Sequence, residues 1–259
     1  APRPGADLGV DFGATAQTMV GMNGAIELAN NGSLQSQAVK IENGGQLSGN
    51  GRVVTTQGLT ISGGGMVNPG FSTGHLDVQG NYDQQTGSTL NIEFEGTSAG
   101  QWDTLDVTGE VKLGGTLRID ATNLTMPAPG TTFEIIAAGS LAVGEIFDSV
   151  ETIGNDDYFF APIYNTGLGP GSGSEGGSGG SAEPRVAVGV YNNGDMNRNG
   201  LIDTPDVDAF ALALTKPIEY FTTYYIFGNE SGDLNHDGRL DFDDIEGFAN
   251  LMSGTGASL

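Results

Sequence analysis

The chain has 259 residues, with 9 basic and 32 acidic side chains, a formal net charge of −23 and a pI near 4.1. Such a polyanion repels phosphate backbones and anionic membrane surfaces, so nucleic-acid binding and membrane insertion are not expected. There is no cysteine, which excludes disulfides, thiolate metal sites and a cysteine nucleophile.

No run of 18 or more apolar residues is present to span a bilayer as a helix. The chain opens APRPGAD, with neither the basic nor the apolar region of a secretion signal. Excess acid, 44 glycines and no cysteine suit a mature, secreted, extracellular bacterial protein.

Residues 1–164 show no helical period. Short alternations of apolar residues read as strands with one buried face. They are Ile26 and Leu28, Val39 and Ile41, Leu59 and Ile61, Leu76 and Val78, Leu90 and Ile92, Leu105 and Val107, and Leu117 and Ile119. Turns rich in Gly and Asn separate them: NNGS at 30–33, NGG at 43–45, GNG at 49–51 and GGG at 63–65. Gly and Asn tolerate the positive φ that corners require. The spacing predicts a mainly β domain, a parallel β-helix or β-solenoid whose rungs bury their apolar faces by stacking; an antiparallel sandwich is the rival. Residues 1–24 show no capping helix. Residues 165–184 read NTGLGPGSGSEGGSGGSAEP and predict a flexible Gly/Ser-rich linker. A smaller domain is expected over 185–259.

Two stretches carry a resemblance. GGGMVNPGFSTGHLDVQGNYDQQTGSTLNIEFEG at 63–96 and QWDTLDVTGEVKLGGTLRI at 101–119 resemble the repeats of autotransporter-associated β-strand proteins. Pro69-Gly70 and Ser72-x-Gly74 carry the match, and Trp102 stands where Tyr is commoner. The resemblance spans about residues 25–150 and implies a parallel β-solenoid on a secreted surface protein.

The C-terminal part contains an internal repeat. DMNRNGLIDTPD at 195–206 superposes on DLNHDGRLDFDD at 233–244 with an offset of 38 and no gap. The spacing is that of a 12-residue Ca²⁺ loop, with oxygen ligands at positions 1, 3, 5, 7 (a backbone carbonyl), 9 and 12 and glycine at 6. It assigns Asp195, Asn197, Asn199, the Leu201 carbonyl, Asp203 and Asp206 to one ion. Asp233, Asn235, Asp237, the Arg239 carbonyl, Asp241 and Asp244 are assigned to a second. Two Ca²⁺ ions are therefore expected, coupled to folding because the carboxylates repel one another without metal. The second loop has more carboxylates and is expected to bind more tightly.

VAVGVY at 186–191 reads as a strand entering the first loop. Val207, Phe210 and Leu214 then mark an exiting helix, and Ile245, Phe248 and Met252 repeat that face. Loop plus exiting helix, twice, with Asp at position 12, resembles a type I dockerin, a paired EF-hand-like (F-hand) Ca²⁺ module. That resemblance, over about 194–253, implies an adaptor for a cohesin-like partner. Its recognition positions fall on Thr204, Pro205, Phe242 and Asp243, which depart from the Ser/Thr pairs of cellulosomal members. The aromatic run Tyr220, Phe221, Tyr224, Tyr225 and Phe227 is expected to form the module's core.

No catalytic constellation is legible. Of the acid pairs Glu93 and Glu95, Asp103 and Asp106, and Glu145 and Asp148, only the first falls on one strand face. Glycoside hydrolysis needs two carboxyls facing each other across a sugar. His75 is the one histidine outside the acidic loops, so no triad is expected. The sequons at Asn31, Asn123 and Asn229 are read as chance. The expected function is that of a non-catalytic extracellular structural protein, self-assembling as a homo-oligomer, fibre or filament through its C-terminal module. A cohesin-binding subunit of a surface complex and a carbohydrate-active β-helix enzyme are the alternatives.

Overall fold

The computed structural model describes residues 10–11, 16–29, 32–125, 127–154, 158–165, 184–226 and 228–253. Most of the expected linker, most of residues 1–15, Asn31 and Phe227 lie outside the described residues. The first strands are β1 (Val10–Asp11), β2 (Gln17–Val20), β3 (Ala25–Leu28), β4 (Ser33–Ser36), β5 (Ala38–Ile41) and β6 (Gln46–Gly49). Next come β7 (Arg52–Thr55), β8 (Leu59–Ile61), β9 (Met66–Pro69), β10 (His75–Gln79), β11 (Tyr82–Gln84) and β12 (Thr89–Glu93). Six more follow: β13 (Thr104–Lys112), β14 (Thr116–Asp120), β15 (Thr132–Leu141), β16 (Ser149–Ile153), β17 (Tyr158–Asn165) and β18 (Arg185–Asn192). The helices are α1 (Thr204–Thr215), α2 (Pro217–Tyr224), α3 (Gly228–Gly232) and α4 (Ile245–Met252), with a 3-10 turn at Phe242–Asp244.

The first compact unit comprises Ala1–Thr125, Phe133–Gly154 and Ile163–Ala187. One of its sheets has the order β1-β4-β7-β10-β13-β11-β8-β5-β2, and the other runs β16-β14-β12-β9-β6-β3. The pairings along both are parallel. The chain passes from sheet to sheet through tight turns, so the two sheets nearly close around one core. Val39, Ile41, Leu59, Ile61, Leu76, Val78, Leu90, Ile92, Leu105, Val107, Leu117 and Ile119 are buried in it, and Ile26 is half-buried.

A polar pair spans this core without an unmet bond. Tyr82 donates its hydroxyl to Gln84 Oε1 at 3.0 Å, and Gln84 Nε2 donates to the Thr116 carbonyl at 3.1 Å. Burial pushes the Tyr82 phenol far above its ordinary range, which keeps it a neutral donor.

The expected class, a mainly β solenoid or β-helix followed by a small α-helical dockerin-like domain, is corrected by this arrangement. The chain is α/β, with parallel sheets and few helices. Nine-residue β13 carries β10 and β11 end to end, through Thr104–Val107 and Val111–Lys112, and merges their rows into one sheet. Its pairing with β15 shifts register between Val107 and Glu110. Alternation specifies which face of a strand is buried, not how rows of strands join, so the class could not be read from it.

The second unit comprises Met126–Thr132, Asn155–Pro162 and Val188–Leu259. It holds strand segments from β17 and β18, which pair with each other, as well as the helices. Its core contains Phe159, Tyr191, Met196, Phe210, Tyr220, Ile226 and Phe248. Phe210 stacks on Phe248 with ring centroids 4.3 Å apart, and Phe159 stacks on Tyr191 at 5.3 Å.

Ile92 is fully buried in β12, between β9 and β14 in the sheet order. Replacing Ile92 by Ala is expected to cost about 2–5 kcal/mol in urea unfolding of the full chain. Asn91→Ala, on the opposite face, is expected to cost within about 1 kcal/mol. Equal losses would contradict the facing of β12.

Candidate functional site

β18 delivers the chain into the first acidic loop through the turn at 192–194, where Asp195 N donates to the Asn192 carbonyl at 3.0 Å. The Asp195 side chain points inward and is fully buried. Its Oδ1 accepts from Asn199 N at 3.1 Å and its Oδ2 from Gly200 N at 2.9 Å. Asn197 Oδ1 accepts from Asn199 N at 2.9 Å, and Asn199 Oδ1 from Leu201 N at 2.8 Å. Asp206, in the first turn of α1, reaches back across the loop. Its two oxygens accept from Asn197 N at 3.0 Å and Asp203 N at 2.8 Å.

The second loop repeats these bonds at the same offset. Asp233 accepts from Asp237 N at 3.1 Å and Gly238 N at 2.7 Å. Asn235 Oδ1 accepts from Asp237 N at 2.9 Å, and Asp237 Oδ1 from Arg239 N at 3.0 Å. Asp244 accepts from Asn235 N at 3.2 Å and Asp241 N at 2.9 Å. The backbone repeats too. Arg198 and His236 have φ of 60° and 58°, and Gly200 and Gly238 have φ of 88° and 87°. A glycine at position 6 meets that left-handed bend without a Cβ penalty. In each loop the side chains at positions 1, 3, 5 and 12 are tied to the loop's own backbone amides, while among the described residues the carboxylates of neither loop gather into one close cluster.

Burial differs between the two. Asp195 and Asp206 are both fully buried in the first loop, whereas in the second only Asp244 is. Burial pushes the Asp195 carboxyl up to about 6, against the backbone donors that lower it and with the Asp206 charge adding to the rise. Asp203 Oδ1 is enclosed and accepts no hydrogen bond. The two loops are tied by Gly194 N donating to the Ser231 carbonyl at 2.7 Å. Tyr220 braces the first loop by donating to the Met196 carbonyl at 2.8 Å.

The surrounding elements correct several expectations. The EF-hand-like and dockerin description fails as a description of this unit. The strand expected before the first loop is present as β18, but five-residue α3 precedes the second, and strands share the unit with the helices. The buried face of α1 is Asp206, Ala209, Phe210 and Ala213. Val207 and Ile245, expected on the inner faces of the exiting helices, are exposed. A helix turns about 100° per residue, so that inner face is rotated toward the loop carboxylate. Of the aromatic run, Tyr220 is core and tilts against Tyr224 at 5.0 Å, while Tyr225 is exposed. Phe242 is 75 % exposed.

Of the acid pairs outside the loops, Asp103 and Asp106 part, whereas the Glu95 charge still acts on Glu93. Asp103 is buried and Asp106 exposed. Asp103 accepts from Gly74 N at 2.7 Å and Glu93 N at 2.9 Å, so it closes a bend where β10 begins. Glu95 is exposed beside half-buried Glu93, and Glu145 and Asp148 are both exposed.

A group that sequence reasoning missed lies on the outer face of β10 and β13. His75, Asp77 and Asp106 each present one ligand atom, all within 4.8 Å of one another. The signal available was His75-x-Asp77, which alternation puts on one face. Asp106 joins them through strand register, which the sequence does not display.

No protein-family model and no curated protein matches the chain. Neither resemblance drawn from the sequence is therefore carried by a match.

Burial raises Asp103 from its ordinary 3.8 to about 8, against the two backbone donors that lower it. The folded chain then binds the proton more tightly than the unfolded chain. Stability from this group is full below pH 3.8 and is lost as pH rises to about 8. Asp103→Asn is expected to flatten that part of the pH dependence, read as urea midpoints at pH 5 and pH 8. A wild-type and variant pair that change in parallel would contradict it.

Proposed function

We propose that the chain is a non-catalytic, extracellular structural protein whose loops at 195–206 and 233–244 each bind Ca²⁺, and that the ion-loaded unit mediates its self-assembly. The observation that carries the reading is the repeat of one hydrogen-bonded scaffold in two loops. Each loop turns side-chain oxygens at positions 1, 3 and 5 inward against its own backbone amides. Each also buries the closing carboxylate of Asp206 or Asp244. Buried like charges side by side are costly unless a cation or a proton compensates them.

Ca²⁺ fits this donor set. It takes 6–8 oxygens in a flexible cage, whereas Mg²⁺ demands a tight octahedron. Both loops mix amide and carboxylate oxygens, and the number of carboxylates and the rigidity of the loop set the affinity of such a site. Exposed Phe242, Ile245, Val207 and Leu201 lie in or beside the loops, so ion binding would order the apolar surface offered to a second copy.

Calorimetry of the full chain with Ca²⁺ is expected to give two ions, with the second loop the tighter. Asp206→Asn and Asp244→Asn should each remove one. Light scattering at high protein concentration is expected to show oligomers in Ca²⁺ and monomers in chelator. Absence of Ca²⁺ binding would remove the ion reading. Two bound ions with monomers throughout would remove the assembly reading alone.

A further inference from the structure

We propose that His75, Asp77 and Asp106 form a second kind of metal site, one for a zinc-class transition-metal ion, on the outer face of β10 and β13. It is separate from the acidic loops and does not rest on their reading.

The site follows from strand register. In β10 and β13, Leu76, Val78, Leu105 and Val107 are buried, so the alternate residues His75, Asp77, Thr104 and Asp106 face outward. His75 lies opposite Thr104 and Asp77 opposite Asp106, while Arg52 on β7 lies opposite Asp77 from the other side. Three neighbouring strands thus assemble one polar patch.

The spacing matches a metal's first ring of ligands. His75 Nε2 lies 3.1 Å from Asp77 Oδ1 and 3.6 Å from Asp106 Oδ2. Ligands held at about 2.0–2.2 Å in a tetrahedron are roughly 3.3–3.5 Å apart. The two measured edges bracket that figure. Three protein ligands leave a fourth position open to water, the pattern of accessible zinc sites.

The supporting contacts orient the ligands. His75 Nδ1 is 2.8 Å from Thr104 Oγ1, whose hydroxyl faces the Gly74 carbonyl at 3.5 Å. With Nδ1–H donating to Thr104, the lone pair sits on Nε2 and points at both carboxylates. Such a partner on the far nitrogen fixes the ring of a metal-bound imidazole. Arg52 Nη2 lies 3.3 Å from Asp77 Oδ2, which leaves Oδ1 for the ion. Two carboxylates and a neutral imidazole balance a divalent charge. Imidazole selects zinc and its neighbours over Ca²⁺, which takes oxygen ligands.

The test uses the full chain in excess Ca²⁺, so that any Ca²⁺ sites in the loops are filled first. Zn²⁺ calorimetry is expected to show one site, and Co²⁺ to give the visible absorption of a tetrahedral ion. His75→Gln and Asp106→Asn are each expected to weaken Zn²⁺ binding at least tenfold and to abolish the Co²⁺ band, with unchanged melting in chelator. His75 proton resonances should shift on Zn²⁺ addition in the wild type. Absent Zn²⁺ binding, or binding equal in wild type and both variants, would overturn the proposal. So would His75 proton resonances that do not move when Zn²⁺ is added.

Discussion

Each acidic loop closes through one buried carboxylate. Asp206 and Asp244 both reach back over their loops and accept the backbone N–H groups of positions 3 and 9, and Asp244 also accepts from Leu234 N. Hydrogen bonds to a charged acceptor are worth roughly 1.5–3 kcal/mol each. They offset part, not all, of the cost of taking an ionised carboxylate out of water. In the first loop Asp195 is buried beside Asp206, and the Asp195 carboxyl is pushed up to about 6. The helices α1 and α4, the Tyr220 brace and the Phe210–Phe248 stack are all built outward from these closures.

The loops were legible in the sequence because their logic is local. Twelve consecutive residues contain every residue of the loop's hydrogen-bonded scaffold, and a second copy stands 38 residues on. The strands were legible for the same reason: Leu90 and Ile92, or Leu117 and Ile119, announce a buried face by alternation alone. The fold class was not legible. It depends on β13 accepting β10 and β11 along one edge and on strands sharing a unit with helices, which are long-range facts. The rotation of α1 was missed because Val207, which is exposed, was counted toward the inner face along with Phe210 and Leu214, which do pack on the core. Asp206, a charged residue, occupies that face instead. The His75 group was missed because His75 and Asp106 are 31 positions apart in sequence and meet only through register.

The surplus of acid now divides by location. Residues 186–259 contain 12 acids and 3 bases. Two Ca²⁺ ions would bring that net −9 to about −5. Elsewhere the acids are mostly partly or fully exposed on sheet faces and turns, with Asp103 the buried exception among the described residues. There burial pushes the carboxyl up to about 8, and its two backbone bonds close a bend.

The central claim is that the two loops are one ion-dependent scaffold built twice. Amide hydrogen exchange across 195–206 and 233–244, in Ca²⁺ and in chelator, tests it most directly. The account predicts that the amides of Asn199, Gly200, Asp237 and Gly238 gain protection together when Ca²⁺ is present, with the strand amides of β12 and β14 unchanged. Loop amides that exchange at the same rate in Ca²⁺ and in chelator would contradict it.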